Sequence, residues 1–154
     1  MKENDEITKP YRPCVVAVFL NASKQVLVGL RKDENAWQFP QGGVEPGEPI
    51  ERALFREVRE EIGSDDFKIV RKALTTVKYD FPKTLDTFLS KRFRGQEQSW
   101  FLCEFNPGFG PDLAQSTCDE FSKTKWTSPE EVASNIIEWK KESYKQGLHM
   151  LGLL

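Results

Sequence analysis

The sequence predicts a layered, mixed α/β domain, on three observations: short strand-like runs precede and follow the middle of the chain, one strongly amphipathic helix sits between them, and a second helical stripe closes the C-terminus. The β-branched run from Val15 to Leu20 gives way to Asn21-Ala22-Ser23-Lys24 and then to the run from Gln25 to Gly29, a pattern that reads as a hairpin. A Gly- and Pro-rich stretch from Pro40 to Pro49 leads into the helix, expected from Ile50 to Ile62, and Gly63 stops it. Further strand-like segments lie at Phe67 to Lys72, Ala73 to Tyr79, Trp100 to Phe105 and around Phe121 to Trp126. Ser128-Pro129-Glu130-Glu131 has the form of a capped helix start, and Ile136, Ile137, Trp139, Tyr144 and Leu148 leave a helical stripe after it.

A chain of 154 residues is the usual size of one domain, and a domain of this size buries about two-thirds of its unfolded surface. Residues 1–9 carry five charges and little apolar surface, so the expected division is a loose tail over 1–9 and one domain over 10–154. The net charge of -2 exerts no global pull on nucleic acid or anionic lipid, so any anion must be met by a local patch. Cys14, Cys103 and Cys118 lack the spacing of zinc ligands or of a disulfide framework. The longest apolar run, Cys14 to Leu20, is too short for a membrane span or a secretory signal. Cytoplasmic residence, with no membrane partner and no DNA partner, is the expectation.

On a helical wheel Leu54, Phe55, Val58 and Ile62 fall in one arc, the face expected to meet a sheet. Glu57, Glu60 and Glu61 share an adjoining arc about 100° wide. Carboxylates grouped beside a Gly-rich loop suit Mg²⁺ or Mn²⁺ and, through the ion, phosphate oxygens. A solvated acidic face would produce the same three residues, and energetics do not separate the two readings. Like charges at these spacings cost only a few tenths of a kcal/mol per exposed pair.

The surrounding pattern separates them. Gly42 is followed after five residues by Glu48, and after seven more by Arg56-Glu57-Val58-Arg59-Glu60-Glu61-Ile62-Gly63. At roughly 7% frequency per residue type, such a set of identities arises by chance at about one start in 10⁸. This segment resembles the Nudix box. The resemblance implies an α/β/α sandwich with a mixed β-sheet between helices and a hydrolase of phosphoric anhydride bonds. It further implies that Arg56 pairs with Glu48 to steady the loop, that Gly42 and Gly63 are structural, and that Glu57, Glu60 and Glu61 hold the ions. Ser64 departs from the apolar residue usual after the box glycine.

Outside the box, Tyr11-Arg12-Pro13, Trp37-Gln38-Phe39-Pro40-Gln41-Gly42-Gly43, Tyr79-Asp80-Phe81-Pro82, Gly95-Gln96-Glu97-Gln98-Ser99-Trp100-Phe101 and Glu120-Phe121 are similar to the branch of bacterial RNA pyrophosphohydrolases and plant-type asymmetrical diadenosine tetraphosphate hydrolases. Cys14 stands where that branch usually has Asn. The resemblance implies two or three Mg²⁺ ions, with Mn²⁺ as a substitute, held by Glu57, Glu60, Glu61, Glu120 and the Gln41 carbonyl. It places Glu120 across the cleft as an added ligand or base, and Glu57 and Glu120 are the preferred candidates for the base. Ile137, Trp139 and Lys140, with Arg31 opposite, would receive a terminal base, and Arg12, Gln41, Tyr79, Gln96 and Gln98 complete the substrate-binding set. Two enzymatic readings follow, a 5′-triphosphorylated RNA cut to a 5′-monophosphate or diadenosine tetraphosphate cut to ATP and AMP. A non-catalytic nucleotide-binding module is the third, and such modules commonly lack the box acids that this chain retains. Any activating protein partner stays open.

Overall fold

The computed structural model describes residues 9–154, so the tail expected over 1–9 falls, as far as residue 8, outside the described residues. Strand β1 (Tyr11–Phe19) contains the reason for the layering, because every side chain from Cys14 to Phe19 is buried. A strand buried on both faces needs cover on both. Val15, Ala17 and Phe19 share a core with Leu54, Val58 and Ile62 of helix α1 (Ile50–Ile62). Val16 and Val18 share the opposite core with Tyr144, Leu148 and Leu151 near the C-terminus. The period-2 alternation of one strand thus sets helices on either side of the sheet.

Strand β1 pairs in parallel with β7 (Gly95–Phe105) and antiparallel with β4 (Gln41–Gly43). Strands β5 (Phe67–Lys72) and β6 (Val77–Asp80) both run antiparallel along the other edge of β7, which makes the sheet mixed. A second, antiparallel sheet places β2 (Val26–Arg31) between β3 (Ala36–Gln38) and β8 (Phe121–Thr127). The expected hairpin between the first two runs does not form, since β1 and β2 lie in different sheets and meet only at an isolated Leu20–Val26 bridge. The turn chemistry was sound: Asn21 Oδ1 accepts the N–H groups of Ser23 at 3.0 Å and Gln25 at 2.9 Å. What a local reading misses is that the apolar edges of β1 are claimed by β4 and β7, which arrive later in the chain.

Helix α1 has its expected bounds and buries Ala53, Leu54, Val58, Glu61 and Ile62. Gly63 caps it at φ 76°, donating its N–H to Arg59 O at 3.0 Å. The C-terminal stripe is broken in two. Ser128 caps α3 (Pro129–Asn135), Ile136 and Ile137 become extended, a 3₁₀ turn spans Glu138–Lys140, and α4 (Lys141–Met150) follows. Consequently Ile136 is buried while Ile137 is exposed. A short helix, α2 (Phe88–Arg92), was not expected; it starts on a reciprocal cap between Thr87 and Ser90.

Candidate active site

The loop entering α1 is organised by Arg56. Its Nε donates to Glu48 Oε2 at 2.8 Å, and its Nη2 donates both to Glu48 Oε1 and to Gly43 O at 2.9 Å. Its Nη1 donates to Glu57 Oε1 at 2.9 Å. Glu48 N–H closes onto Glu45 O at 2.9 Å with Gly47 at φ 76°, the type II turn that Pro46-Gly47 suits. Held by the Arg56 fork and by the N–H of Glu45, the Glu48 carboxyl sits far below its ordinary range, at about 2.

Gly42 is the point where the loop meets the helix. A Cβ added there would fall on the Glu57 carboxyl, so only glycine lets that carboxylate lie against the loop. We expect Gly42→Ala to displace Glu57 and lower kcat by roughly 10²-fold, since about 1 Å of misplacement at a reacting centre costs that much. A melting curve and a kcat measurement check it, and a wild-type kcat would refute the placement.

Glu61 is almost fully buried, at 1% exposure. Its Oε2 accepts the Gln41 N–H at 3.4 Å, while Glu61 Oε1 and the side-chain Oε1 of Gln41 have no hydrogen-bond partner. Burial first, and then the charges of Glu120 and Glu57, push the Glu61 carboxyl well above its ordinary value. Burial also raises Glu57, against the pull of Arg56, and raises Glu120, against the pull of Arg31.

The helix end itself brings Glu120 across. Ser116 Oγ at 2.6 Å, Thr117 N–H at 3.0 Å and Cys118 N–H at 3.2 Å all donate to Glu60 O, satisfying a carbonyl of the last turn. Lys32 N–H then fixes Glu120 O at 3.0 Å to the end of β2. Hard oxygen donors that repel one another, with orphaned oxygens buried among them, fit a divalent cation. Among the described residues, however, no three acidic, histidine or cysteine side chains yet surround a common point. Arg56 Nη1 engages both Glu57 and, at 3.4 Å, Glu60.

Glu57, Glu120 and Gln41 line a cleft of about 470 Å³, and Arg12, Arg31, Tyr79, Gln96, Trp139 and Lys140 line the same cleft. Register explains the gathering of residues so far apart in sequence. Arg12 pairs with Gln96, and Gln96 with Tyr79, across three adjacent strands. Tyr79 Oη donates to Gln96 Oε1 at 2.6 Å. The Trp139 ring lies 5.6 Å from Tyr79 and 6.2 Å from Phe81, centroid to centroid. Lys140 Nζ stands 5.0 Å over Trp139, and burial lowers its pKa. Arg31 forks onto Asp33 at 2.9 and 2.7 Å and reaches within 3.5 Å of Glu120.

Four of the residues singled out stand apart from the cleft wall. Gln98 is buried two residues beyond Gln96 along β7 and accepts the Trp100 indole N–H at 3.1 Å. Ile137 is exposed and does not line the cleft, and Glu60 lies on the Arg56 side of the helix. Glu61 sits behind the wall rather than in it. The apolar side formed by Phe81, Leu85, Phe88 and Leu89 was missed. Its one local signal was the Thr87-to-Ser90 cap.

A NUDIX domain model matches residues 10–147, and the chain belongs to the Nudix hydrolase family. Enzymes of this family generally use divalent metal ions. The RNA pyrophosphohydrolase of Rickettsia typhi (strain ATCC VR-144 / Wilmington) is 42% identical over 146 residues, covering 92% of this chain and 90% of its own. That of Wolbachia sp. subsp. Brugia malayi (strain TRS) is 39% identical over 139 residues, covering 88% and 86%. Among solved structures, the E. coli dihydroneopterin triphosphate pyrophosphohydrolase superposes with a TM-score of 0.66 at 22% identity, over 90% of this chain and 97% of that one. A C. elegans Ap4A hydrolase binary complex does so with a TM-score of 0.62 at 19% identity, over 92% and 98%. These two likenesses speak for the fold alone. No helix among the described residues is long and apolar enough to cross a membrane.

Proposed function

We propose that the chain is an RNA pyrophosphohydrolase, removing pyrophosphate, or phosphate in steps, from a 5′-triphosphate end to leave a 5′-monophosphate. The observation that carries this reading is one cleft with half-buried carboxylates at Glu57 and Glu120 and an aromatic surface at Trp139 and Tyr79. Identity near 40% to RNA pyrophosphohydrolases over most of the chain supports it.

Glu57, Glu61, Glu120 and the Gln41 carbonyl would hold Mg²⁺ or Mn²⁺, with Glu60 joining once released from Arg56. Such an ion, when bound, offsets charge on the phosphate oxygens and acidifies water. Glu57 or Glu120 takes the proton from the attacking water as its oxygen bonds to phosphorus and the bond to the leaving phosphate breaks. Trp139 and Lys140 present a ring face and a cation to the terminal base, and Arg12 offers a guanidinium to phosphate.

Equal concentrations of triphosphorylated RNA and diadenosine tetraphosphate, offered together with Mg²⁺, test the reading. Preferential loss of the RNA triphosphate is expected, and preference for the dinucleotide would overturn it. Mg²⁺-dependent release of either product disposes of a non-catalytic module.

A further inference from the structure

Behind the cleft, Tyr144 of α4 is fully buried and its ring is held on two sides. It stacks on Phe39 at 5.1 Å and 15°, and it meets Trp100 edge-on at 5.4 Å. Gly147, nearly one turn further along α4, lets the Trp100 indole lie where a Cβ would fall, so the helix is pressed close against β7. Burying a phenol in such a core is costly unless its hydroxyl finds a partner. The partner is the Phe39 N–H, which donates to Tyr144 Oη at 3.3 Å. Phe39 and Pro40 are the two residues by which the chain leaves one sheet at Gln38 and enters the other at Gln41, and neither ladder includes them. Phe39 is itself fully buried, so water cannot serve its N–H. The next residues are fastened in turn: Ala17 N–H donates to Pro40 O at 2.9 Å, and Gln41 pairs with Val16. Gln41 N–H then donates to Glu61 Oε2 at 3.4 Å. Helix α4 thus reaches the buried acid through one short crossing of backbone. Burial raises the Tyr144 pKa against the pull of the Phe39 N–H, and the Glu61 charge raises it further, which puts that acid within electrostatic reach of the hydroxyl.

We propose that Tyr144 is a positioning residue for metal binding: its hydroxyl, by holding the Phe39 N–H, sets the sheet-to-sheet crossing from which Gln41 meets Glu61. This rests on the reading of Glu61 and the Gln41 carbonyl as metal donors. Tyr144 does not line the cleft and acts through the loop, as groups that orient ligating residues from behind do. Its ring serves the core; its hydroxyl serves the site.

Tyr144→Phe keeps the ring and removes only the acceptor. Mn²⁺ affinity without substrate, read from the electron spin resonance of the free ion, is compared among wild type, Tyr144→Phe, Glu61→Gln and Leu148→Val. Melting temperature, KM for a 5′-triphosphorylated RNA and the Mg²⁺ dependence of kcat are measured beside it. Leu148 belongs to the same core, so its variant reports what loosened packing alone does. Tyr144→Phe is expected to raise the Mn²⁺ Kd and the half-saturating Mg²⁺ concentration together, roughly 10- to 100-fold, with KM at saturating metal unchanged. Leu148→Val should melt lower than wild type and bind Mn²⁺ equally well. A wild-type Mn²⁺ Kd in Tyr144→Phe, or the same loss in Leu148→Val, overturns the proposal. Weakened Mn²⁺ binding in Tyr144→Phe, with Glu61→Gln at wild-type affinity, upholds positioning through Gln41 and removes Glu61 from the donor set named above.

Discussion

Glu61→Gln is expected to lower turnover by roughly 10³-fold or more, equivalent to about 4 kcal/mol of transition-state stabilisation, and to leave the fold intact. Glutamine keeps the shape and can still accept the Gln41 N–H, so the packing of α1 on β4 survives the change. What it removes is a charge that burial and two neighbouring acids make costly in the metal-free protein. The melting temperature without metal should therefore stay level or rise. Wild type should gain stability as Mg²⁺ is added, because a ligand that binds only the folded state stabilises it by mass action. Glu61→Gln should show little of that gain. Thermal melts with and without Mg²⁺, beside kcat, make the comparison. A variant that melts much lower than wild type while retaining activity would show that Glu61 serves the core and not the reaction.

Much of this site was legible because its local parts are short-range. Gly42, Glu48, Arg56 and Gly63 form one loop-helix unit, and their spacing shows directly in helix bounds, turn and cap. The wheel also brought Glu57, Glu60 and Glu61 to neighbouring positions. It could not rank their burial, because that depends on what β4 and the segment from Ser116 to Glu120 place against each one. Glu61 is buried while Glu60 keeps company with Arg56, a difference of one residue on one helix. The same limit applies to Gln96 and Gln98, which alternate with Glu97 along β7. Both point to one face, yet only the first reaches the cleft, because Trp100 closes over the second. The division of the strands into two sheets was illegible for a related reason. Pairing partners of β1 lie more than twenty residues and more than eighty residues away, whereas a hairpin reading weighs only the next run.

Arg56→Lys should be the most damaging conservative change in the molecule, lowering both stability and kcat. A guanidinium reaches Glu48 through two nitrogens, Gly43 O through one of them and Glu57 through a third, and an ammonium cannot span that arrangement. Both residues are largely buried, with side-chain exposures of 19% for Arg56 and 10% for Glu48, so the broken contacts leave a carboxylate without its partner. A loss of about 3 kcal/mol is expected on that ground. The pair also predicts how acid acts on the fold. Glu48 has its carboxyl depressed from the model-peptide value of 4.5 to about 2, so its contribution is fully present above pH 4.5 and fades as pH falls toward 2. Wild type should thus exceed Glu48→Gln in stability at pH 6, and the gap should close between those two values. Denaturant titrations of both proteins across that range measure the gap directly. A gap that stayed constant with pH would mean that Glu48 supports the loop through shape alone, and Arg56→Lys would then lose its electrostatic explanation while its effect on Glu57 placement remained to be read in kcat.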